Sequence, residues 1–354
     1  MFLINTTTIS KGFIGTYTKG NSKGIYKFSF NNVNCEIDSI DVASEIGNPT
    51  YLTISKDKKF LYSIIKKDNK GGVASYLINE DLSLSLLNYK ISPGASPCHL
   101  ITDSKNSFLF SANYHDGEIS CYSLLADGSI GDLKSRNYHT GSGVNKERQE
   151  KPHPHFVCLT PNEEKLLAVD LGIDKLVVYD YKNGILKEDT ECSIKLPDGV
   201  GPRHMAFHEN NKVAFLLSEL TSEVFVLSYN NEDNTFNIIQ RISAIPKDFK
   251  GQTDAAAIHI SPDGKFLYTS NRGFDSIAVF SIDENSFKLN LVEITETNGS
   301  HPRDFTIDPS GRFLIIPHQL THNITIFHRD IKTGKLTKAD KEFDIESGVC
   351  IKFI

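Results

Sequence analysis

The stretch HPHFVCLT, residues 153–160, decides the fold because close variants of it recur along the whole chain. Most copies have a proline as their second residue, continue as a short apolar run and lead into a polar turn such as SPDG or DPSG. Short apolar runs separated by turn residues are typical of β-strands. The other copies are NPTYLTIS (48–55), SPCHLIT (96–102), GPRHMAFH (201–208), TDAAAIHI (253–260) and HPRDFTID (301–308).

The spacing of these copies identifies the architecture. Successive steps between the prolines at positions 49, 97, 154 and 202 are 48, 57 and 48 residues, and Pro302 follows 100 residues later, across two copies. A period of about 50 residues that carries about four strands is typical of a propeller blade. The pattern predicts an all-β, seven-bladed β-propeller with four antiparallel strands in each blade, as a single domain over residues 1–354.

The seventh blade is divided between the two ends of the sequence. The segment SGVCIKF (347–353) resembles another innermost strand, and GFIGTY (12–17) and GIYKF (24–28) supply the strands that would pair with it. Joining them pairs edges that would otherwise be open. We therefore expect the N- and C-terminal strands to share one blade and close the ring. A closed ring needs no partner for stability, so we expect a monomer.

Composition excludes several classes of function. The formal net charge is −6 and the isoelectric point about 6.1, which argues against a nucleic-acid partner. The apolar run from Phe2 to Ile4 is too short for a signal peptide or a membrane span. The six cysteines form no C-x-x-C pair, so we expect reduced thiols and a cytoplasmic protein without a zinc site or a cofactor.

Polar residues concentrate where the topology predicts a single rim. Successive strands of a blade are antiparallel, so the start of the innermost strand and the end of the second lie at the same rim. A scaffold does not need His, Arg and carboxylate side chains at these positions. Those at predicted strand starts are His99, His153, His155, Arg203, His204, His301 and Arg303. Those at predicted second-strand ends are Asn113, His115, Asp170, Glu219, Asn271, Arg272, His318 and Gln319.

These residue types support a specific chemistry, although each also has a structural explanation. A neutral histidine can activate water, an arginine can bind an anion or an oxyanion, and a carboxylate can orient either. The histidines at 153 and 155 could instead bond carbonyls between blades, and they could bind zinc only with a third ligand that the sequence does not reveal. The structural alternatives are inter-blade ion pairs for Arg203 and Arg303, and pairing with an arginine for Glu219. Asp170 could serve only in a turn, and Tyr17 only in packing. We expect three further histidines to be exposed and without a functional role: His139, His322 and His328.

Several motifs in register resemble the lactonase family of seven-bladed propellers, which includes bacterial 6-phosphogluconolactonases of the propeller type and fungal carboxy-muconate lactonizing enzymes. The resemblance covers essentially the whole chain. The motifs are GTYT (15–18), PHPHF (152–156), DLGID (170–174), GPRH (201–204), SEL (218–220), NRG (271–273), PRDF (302–305) and DPSG (308–311).

The resemblance implies a metal-independent intracellular enzyme that opens or closes a lactone ring. Its lead substrate would be 6-phospho-D-glucono-1,5-lactone, hydrolysed to 6-phosphogluconate in the pentose phosphate pathway. The family's catalytic roles fall on His155, Glu219, Arg203 and Arg272. The residues expected to bind this small anionic substrate are His153, His204, Asn113, Asp170, Asn271, Arg303, His318 and Gln319.

The sequence departs from the family at four rim positions and leaves alternatives open. The family usually has glutamate at Ala257, histidine at Phe274, glycine at His115 and Ala-Asn-Gln where Pro317-His318-Gln319 stands. These changes put the identity of the lactone in question more than catalysis. A muconate-type cycloisomerase and a non-catalytic binding propeller are the alternative functions. Either His155 or Glu219 could be the principal base.

Overall fold

The computed structural model describes residues 8–354 and confirms the seven-bladed β-propeller. Within these residues the chain forms 28 β-strands and no helix, arranged as seven antiparallel sheets of four strands. The described chain therefore contains no helical segment with the length and hydropathy needed to cross a membrane. The apolar run at residues 2–4 lies outside the described residues.

Each blade follows the chain outward from the propeller axis in strand order. Six blades are continuous in the sequence and are numbered 1 to 6 along the chain. Blade 1 contains β4 (Leu52–Ile54), β5 (Phe60–Lys67), β6 (Lys70–Ile78) and β7 (Leu84–Pro93). Blade 2 contains β8 (His99–Thr102), β9 (Phe108–Asn113), β10 (Glu118–Leu124) and β11 (Ile130–Tyr138). Blade 3 contains β12 (Pro154–Leu159), β13 (Lys165–Asp170), β14 (Lys175–Lys182) and β15 (Ile185–Lys195).

The next three blades repeat this order. Blade 4 contains β16 (Pro202–Phe207), β17 (Val213–Ser218), β18 (Glu223–Asn230) and β19 (Thr235–Ser243). Blade 5 contains β20 (Asp254–Ile260), β21 (Phe266–Arg272), β22 (Ser276–Ile282) and β23 (Leu289–Glu296). Blade 6 contains β24 (Thr306–Ile307), β25 (Phe313–Pro317), β26 (Asn323–Arg329) and β27 (Leu336–Asp344).

The closing blade joins the two ends of the chain, as predicted. Its strands are β28 (Gly348–Phe353), β1 (Ile9–Thr16), β2 (Gly24–Asn31) and β3 (Glu36–Glu45). Antiparallel pairing places Ile14 opposite Ile351. Gly12 permits this close approach, since a Cβ there would lie 2.3 Å from the carbonyl oxygen of Lys352. The innermost strand of the closing blade, β28, contacts both β4 of blade 1 and β24 of blade 6.

The hydrophobic core lies between neighbouring blades. In the cluster that joins blades 3 and 4, Val178, Leu216 and Phe225 are buried and contributed by both sheets. A similar cluster joins blade 6 to the closing blade through Ile326, Phe30 and Ile351. Close-packed interiors of this kind resist deformation, so the strands form a rigid support for side chains at the rim.

Candidate active site

A cavity of about 500 Å³ lies at the rim where innermost strands start and second strands end. We call it the rim cavity. Side chains from all seven blades line it, and only a site at the propeller axis can collect residues from every blade. The contributions from the closing blade and blades 1 to 6 include Tyr17, Thr50, Tyr114, His155, Glu219, Arg272 and Arg303 in that order.

The charge of the rim cavity is positive. Its lining contains four cationic side chains, Lys66, Arg148, Arg272 and Arg303, and a single carboxylate, Glu219, which leaves an excess of three positive charges. A site lined by one sign of charge concentrates ligands of the opposite sign. The protein as a whole has net charge −6, so the preference for an anion is local to this cavity.

Glu219 is the centre of the arginine cluster. Its Oε2 accepts a hydrogen bond from Arg203 Nε at 2.7 Å and lies 2.9 Å from a terminal nitrogen of Arg272. Its Oε1 accepts a hydrogen bond from Arg148. Burial alone would raise the pKa of this carboxyl, but Arg272, Arg203 and Arg148 together lower it to about 2. Glu219 is therefore ionised and fully engaged, which suits an anchor for arginines and not a general base.

Arg203 does not line the rim cavity. It is 1% exposed and lines a smaller cavity of about 10 Å³ beneath, together with His155 and Arg303. Its guanidinium donates to Glu219 and to the carbonyl of Ala256 in the next blade. Burial, with the charges of Arg272 and Arg303, lowers the pKa of Arg203 to about 9. The ion pair with Glu219 therefore offsets only part of the free-energy cost of burying the charged guanidinium. The structure thus matches the inter-blade ion-pair alternative for this residue.

Arg303 differs from Arg148, Arg203 and Arg272 because its charge has no carboxylate partner within the described residues. It is half-buried and lines both the rim cavity and the smaller cavity beneath, which places it on the cavity floor. Within residues 8–354 its side chain has no hydrogen bond and no ion pair. An unpaired guanidinium in a cavity is suited to bind an anion or a developing oxyanion.

His155 lies on the same floor as Arg303. It is 5% exposed and lines both cavities, and its Nδ1 is buried without a hydrogen-bond partner in the described chain. Burial, followed by the charges of Arg203, Arg303 and Arg272, lowers the pKa of His155 well below 6.5. The imidazole is therefore neutral at pH 7 and able to accept a proton.

His204 belongs to a cluster of histidine and aromatic side chains that lies below the rim cavity. Its ring centroid is 5.1 Å from that of His155 and 5.6 Å from that of His99. Its Nε2 lies 3.2 Å from Arg203. His204 lines the smaller cavity but not the rim cavity, so the structure does not place it where the sequence-based hypothesis expected a substrate contact.

Three short side chains at second-strand ends, Asn113, Asp170 and Asn271, do not line the rim cavity. Asp170 accepts hydrogen bonds from the backbone N–H groups of His153 and Gly172, as the turn alternative predicted. The amide of Asn113 donates to the carbonyl of Ala95, and that of Asn271 donates to the carbonyl of Ala244.

The strand register explains why these three side chains do not line the rim cavity. Asn113, Asp170, Ser218 and Asn271 are the last second-strand residues that pair with the third strand. In blades 2, 4 and 5 the next residue along the chain, Tyr114, Glu219 or Arg272, lines the rim cavity. A one-residue step reverses the direction of a side chain, so the predicted rim set combined two registers, only one of which faces the cavity.

The remaining predicted substrate contacts also lie away from the rim cavity. His318 is fully buried, with Nδ1 3.3 Å from the carbonyl of Asn323, and Gln319 does not reach the cavity lining. His153 stacks on Tyr114 at 4.2 Å, and its Nδ1 lies 2.8 Å from that residue's carbonyl oxygen in the neighbouring blade. This contact matches the structural alternative given for His153.

Arg148 is the main cavity residue that sequence reasoning missed. It lies on the connection of residues 139–153, which produces the longer 57-residue step between prolines. Gln149 holds this connection by donating to the carbonyl of Leu171 at 2.8 Å and to Asp174 Oδ1 at 2.7 Å. The guanidinium of Arg148 then reaches Glu219 and, at 3.2 Å, Asp254. The additional length of this connection was the feature of the sequence that could have indicated a residue reaching the cavity.

Other cavity residues were given a different role by the sequence. Tyr17, interpreted as packing, lines the rim cavity, as do Tyr114 and Lys66, which were not singled out. His139 was interpreted as exposed, yet its side chain is buried and its Nδ1 lies 2.5 Å from Asp170. That contact fixes one end of the connection that carries Arg148.

Of the four positions that depart from the family pattern, only His115 lines the rim cavity. Ala257 is fully buried beside Ser270, and Phe274 packs against Phe249 with ring centroids 4.5 Å apart. Substitutions at Ala257 and Phe274 therefore affect the rim cavity only indirectly, through the residues that pack against them. Within residues 8–354, no group of three or more His, Cys, Asp or Glu side chains is arranged to hold a metal ion.

Comparisons with known proteins agree with the motifs. The family described as "Lactonase, 7-bladed beta-propeller" matches residues 11–353. The 6-phosphogluconolactonase of Bacillus subtilis is 43% identical over 344 residues, covering 97% of this chain and 98% of that protein. A periplasmic gluconolactonase of Pseudomonas aeruginosa superposes with a TM-score of 0.92 at 28% identity, over 98% of this chain and 99% of that one. A protein from Lactobacillus plantarum superposes with a TM-score of 0.93 at 35% identity, over 98% and 99% of the two chains.

Proposed function

The chain belongs to the lactonase family of seven-bladed β-propellers, and from this we propose that it hydrolyses 6-phospho-D-glucono-1,5-lactone at the rim cavity. It is a lactonase-like enzyme, so a purely non-catalytic binding role is set aside. The observation that carries the proposal is the neutral, buried His155 beside the unpaired Arg303 on the floor of a positive cavity. The proposed product, 6-phosphogluconate, would enter the pentose phosphate pathway.

The proposed mechanism uses His155 as the base. The imidazole of His155 takes a proton from water while the water oxygen bonds to the lactone carbonyl carbon. The carbonyl oxygen becomes an oxyanion, and the positive charge of Arg303 stabilises it. The bond from the carbonyl carbon to the ring oxygen then breaks, and protonated His155 returns the proton to that oxygen. Glu219 holds Arg272 and Arg148 in place around the substrate.

A muconate-type cycloisomerase receives less support from the geometry. Such an enzyme would need arginines free to grip two carboxylates. Arg148, Arg203 and Arg272 all bond to Glu219, and Arg203 lies beneath the rim cavity. Only one arginine on the floor is left unpaired within the described chain.

Isotope labelling tests the reaction type. We expect hydrolysis in water enriched in ¹⁸O to place one heavy oxygen atom in the carboxylate of the product, because water attacks the carbonyl carbon. Mass spectrometry of the product measures this incorporation, and the same incubation without enzyme gives the background rate. Product formed by the enzyme without uptake of solvent oxygen would overturn the hydrolytic proposal and favour isomerisation.

The pH dependence of kcat/KM tests the role of His155. The pKa of this histidine is lowered, so the active neutral form persists below pH 6.5 and is lost only as the pH falls through the lowered value. We therefore expect kcat/KM to be constant from neutral pH down past 6.5 and to decline at lower pH. Initial rates between pH 4.5 and about 7.5 measure the profile. An acid limb centred at 6.5 or above would contradict this assignment.

The cytoplasm is the compartment that we propose. The six cysteines are all free thiols, as expected in a reducing compartment. The periplasmic relative means that family membership alone does not fix the compartment.

A further inference from the structure

The rim cavity contains two positive charges that the protein itself leaves unused. Arg148, Arg203 and Arg272 share the carboxylates of Glu219 and Asp254. Arg303 and Lys66 have no hydrogen bond from their side chains and no ion pair within residues 8–354. Both line the rim cavity, so both charges are available to a ligand.

The two free charges lie at different depths. Arg303 is on the floor, since it also lines the smaller cavity beneath. Lys66 is exposed and lies near the end of β5, at the β5–β6 hairpin that borders the cavity opening. Asn69, at the tip of the same hairpin, also lines the cavity and is exposed, with φ of +59°. The hairpin therefore presents an ammonium and a side-chain amide at the outer edge.

The position of the base decides which end of a substrate lies at each depth. His155 is on the floor, so the lactone carbonyl must reach the floor to be attacked. The remaining free cation is then Lys66 at the opening. A hexonolactone that carries its anionic group on C6, far from the carbonyl carbon, would place that group outward.

We infer that Lys66 and Asn69 on the β5–β6 hairpin form a subsite for a phosphate monoester at the outer edge of the rim cavity. This inference rests on the proposed function for the orientation of the substrate. The lysine ammonium supplies charge and three donors, and the asparagine amide supplies two more donors. The subsite sets the preference for a phosphorylated over a non-phosphorylated sugar acid or lactone.

Calorimetric titration with two sugar acids tests the subsite without depending on turnover. The probes are 6-phosphogluconate and gluconate, which differ only in the phosphate. We expect the wild-type protein to bind the phosphorylated acid more tightly, and Lys66→Met to reduce that preference about tenfold, equivalent to about 1.4 kcal/mol. Lys66→Arg should restore most of it, and Asn69→Gly, which tolerates the positive φ, should weaken it less than Lys66→Met.

Lys67→Met is the matched control. Lys67 belongs to the same hairpin, but its Nζ lies 3.0 Å from the hydroxyl of Tyr89 and it does not line the cavity. The Lys67→Met substitution removes one positive charge from the same hairpin as Lys66→Met. A long-range electrostatic effect of the lost charge would therefore appear equally in both variants. We expect the preference of Lys67→Met to equal that of the wild type.

The outcomes separate the two proposals. Equal affinity of the wild type for both acids, or a preference unchanged by Lys66→Met, would overturn the subsite. A preference lost equally in Lys66→Met and Lys67→Met would also overturn it. Absence of lactone hydrolysis by a protein that binds 6-phosphogluconate through Lys66 would overturn the proposed reaction and leave the subsite standing.

Discussion

Substitution of His155 by glutamine is expected to lower kcat for lactone hydrolysis by about a thousandfold, the effect expected when a general base is removed. Glutamine keeps a polar group of similar reach but cannot accept the proton from water. The floor arginine would still bind the carbonyl oxygen, so KM should change much less than kcat. Initial rates with saturating lactone measure the effect.

His208→Gln provides the control for this variant. His208 is also a buried histidine after an innermost strand, but its Nε2 lies 2.9 Å from the carbonyl of Gly264 and it does not line the rim cavity. We expect this control to retain the wild-type kcat. A His155→Gln enzyme within tenfold of the wild type would remove His155 from the role of base.

Substitution of Glu219 by glutamine is expected to abolish activity and to lower the free energy of unfolding by about 3 kcal/mol at pH 7. The change leaves Arg148, Arg203 and Arg272 without the carboxylate that they share. The magnitude follows from the folded-state pKa of about 2 against 4.5 for a free glutamate, and it agrees with the cost of breaking a buried pair. Urea denaturation measures it.

The same experiment has a defined pH dependence. A carboxyl with a lowered folded pKa contributes stability above its unfolded pKa and loses it as the pH falls toward the folded value. The difference between wild type and Glu219→Gln should therefore be complete at pH 7 and shrink as the pH falls below 4.5.

Glu223→Gln is the matched control for Glu219→Gln. Glu223 pairs with Arg241 at 2.5 Å, but that arginine is 45% exposed, so the pair should contribute less than about 1 kcal/mol. A loss of stability in Glu219→Gln no larger than in this control would contradict the role of Glu219 as the centre of the arginine cluster.

The architecture could be predicted almost completely from sequence because the repeat carries it. The recurring segments located six blades, and the segments at residues 12–17 and 347–353 located the seventh. Strand bounds follow from alternation and turn residues, which are local properties. The closure of Ile14 against Ile351 required only that both ends have unpaired edges.

The site could be predicted only in part, because the pattern identifies a rim and not the direction of each side chain. His155, Glu219, Arg272 and Arg303 line the rim cavity as expected. Asp170 and its equivalents face local backbone groups one register away. Nothing in the repeat distinguishes these two registers.

Contacts between distant parts of the chain also could not be predicted from the sequence. The guanidinium of Arg148 crosses from the blade 3 connection to blades 4 and 5, and the pairing of Arg203 with Glu219 depends on depth below the rim. Which cations remain unpaired is decided by the complete network of carboxylates. That network singles out Arg303 and Lys66, and no single motif contains it.

The most direct test of the central claim is the rate of acid release from freshly prepared 6-phospho-D-glucono-1,5-lactone. The wild-type protein, His155→Gln and Arg303→Met should be compared with the spontaneous reaction in the same buffer. We predict that the wild type accelerates acid release well above the spontaneous rate and that both variants lose most of this acceleration. A wild-type rate equal to the spontaneous rate, or full acceleration in both variants, would contradict the assignment of this reaction to the rim cavity.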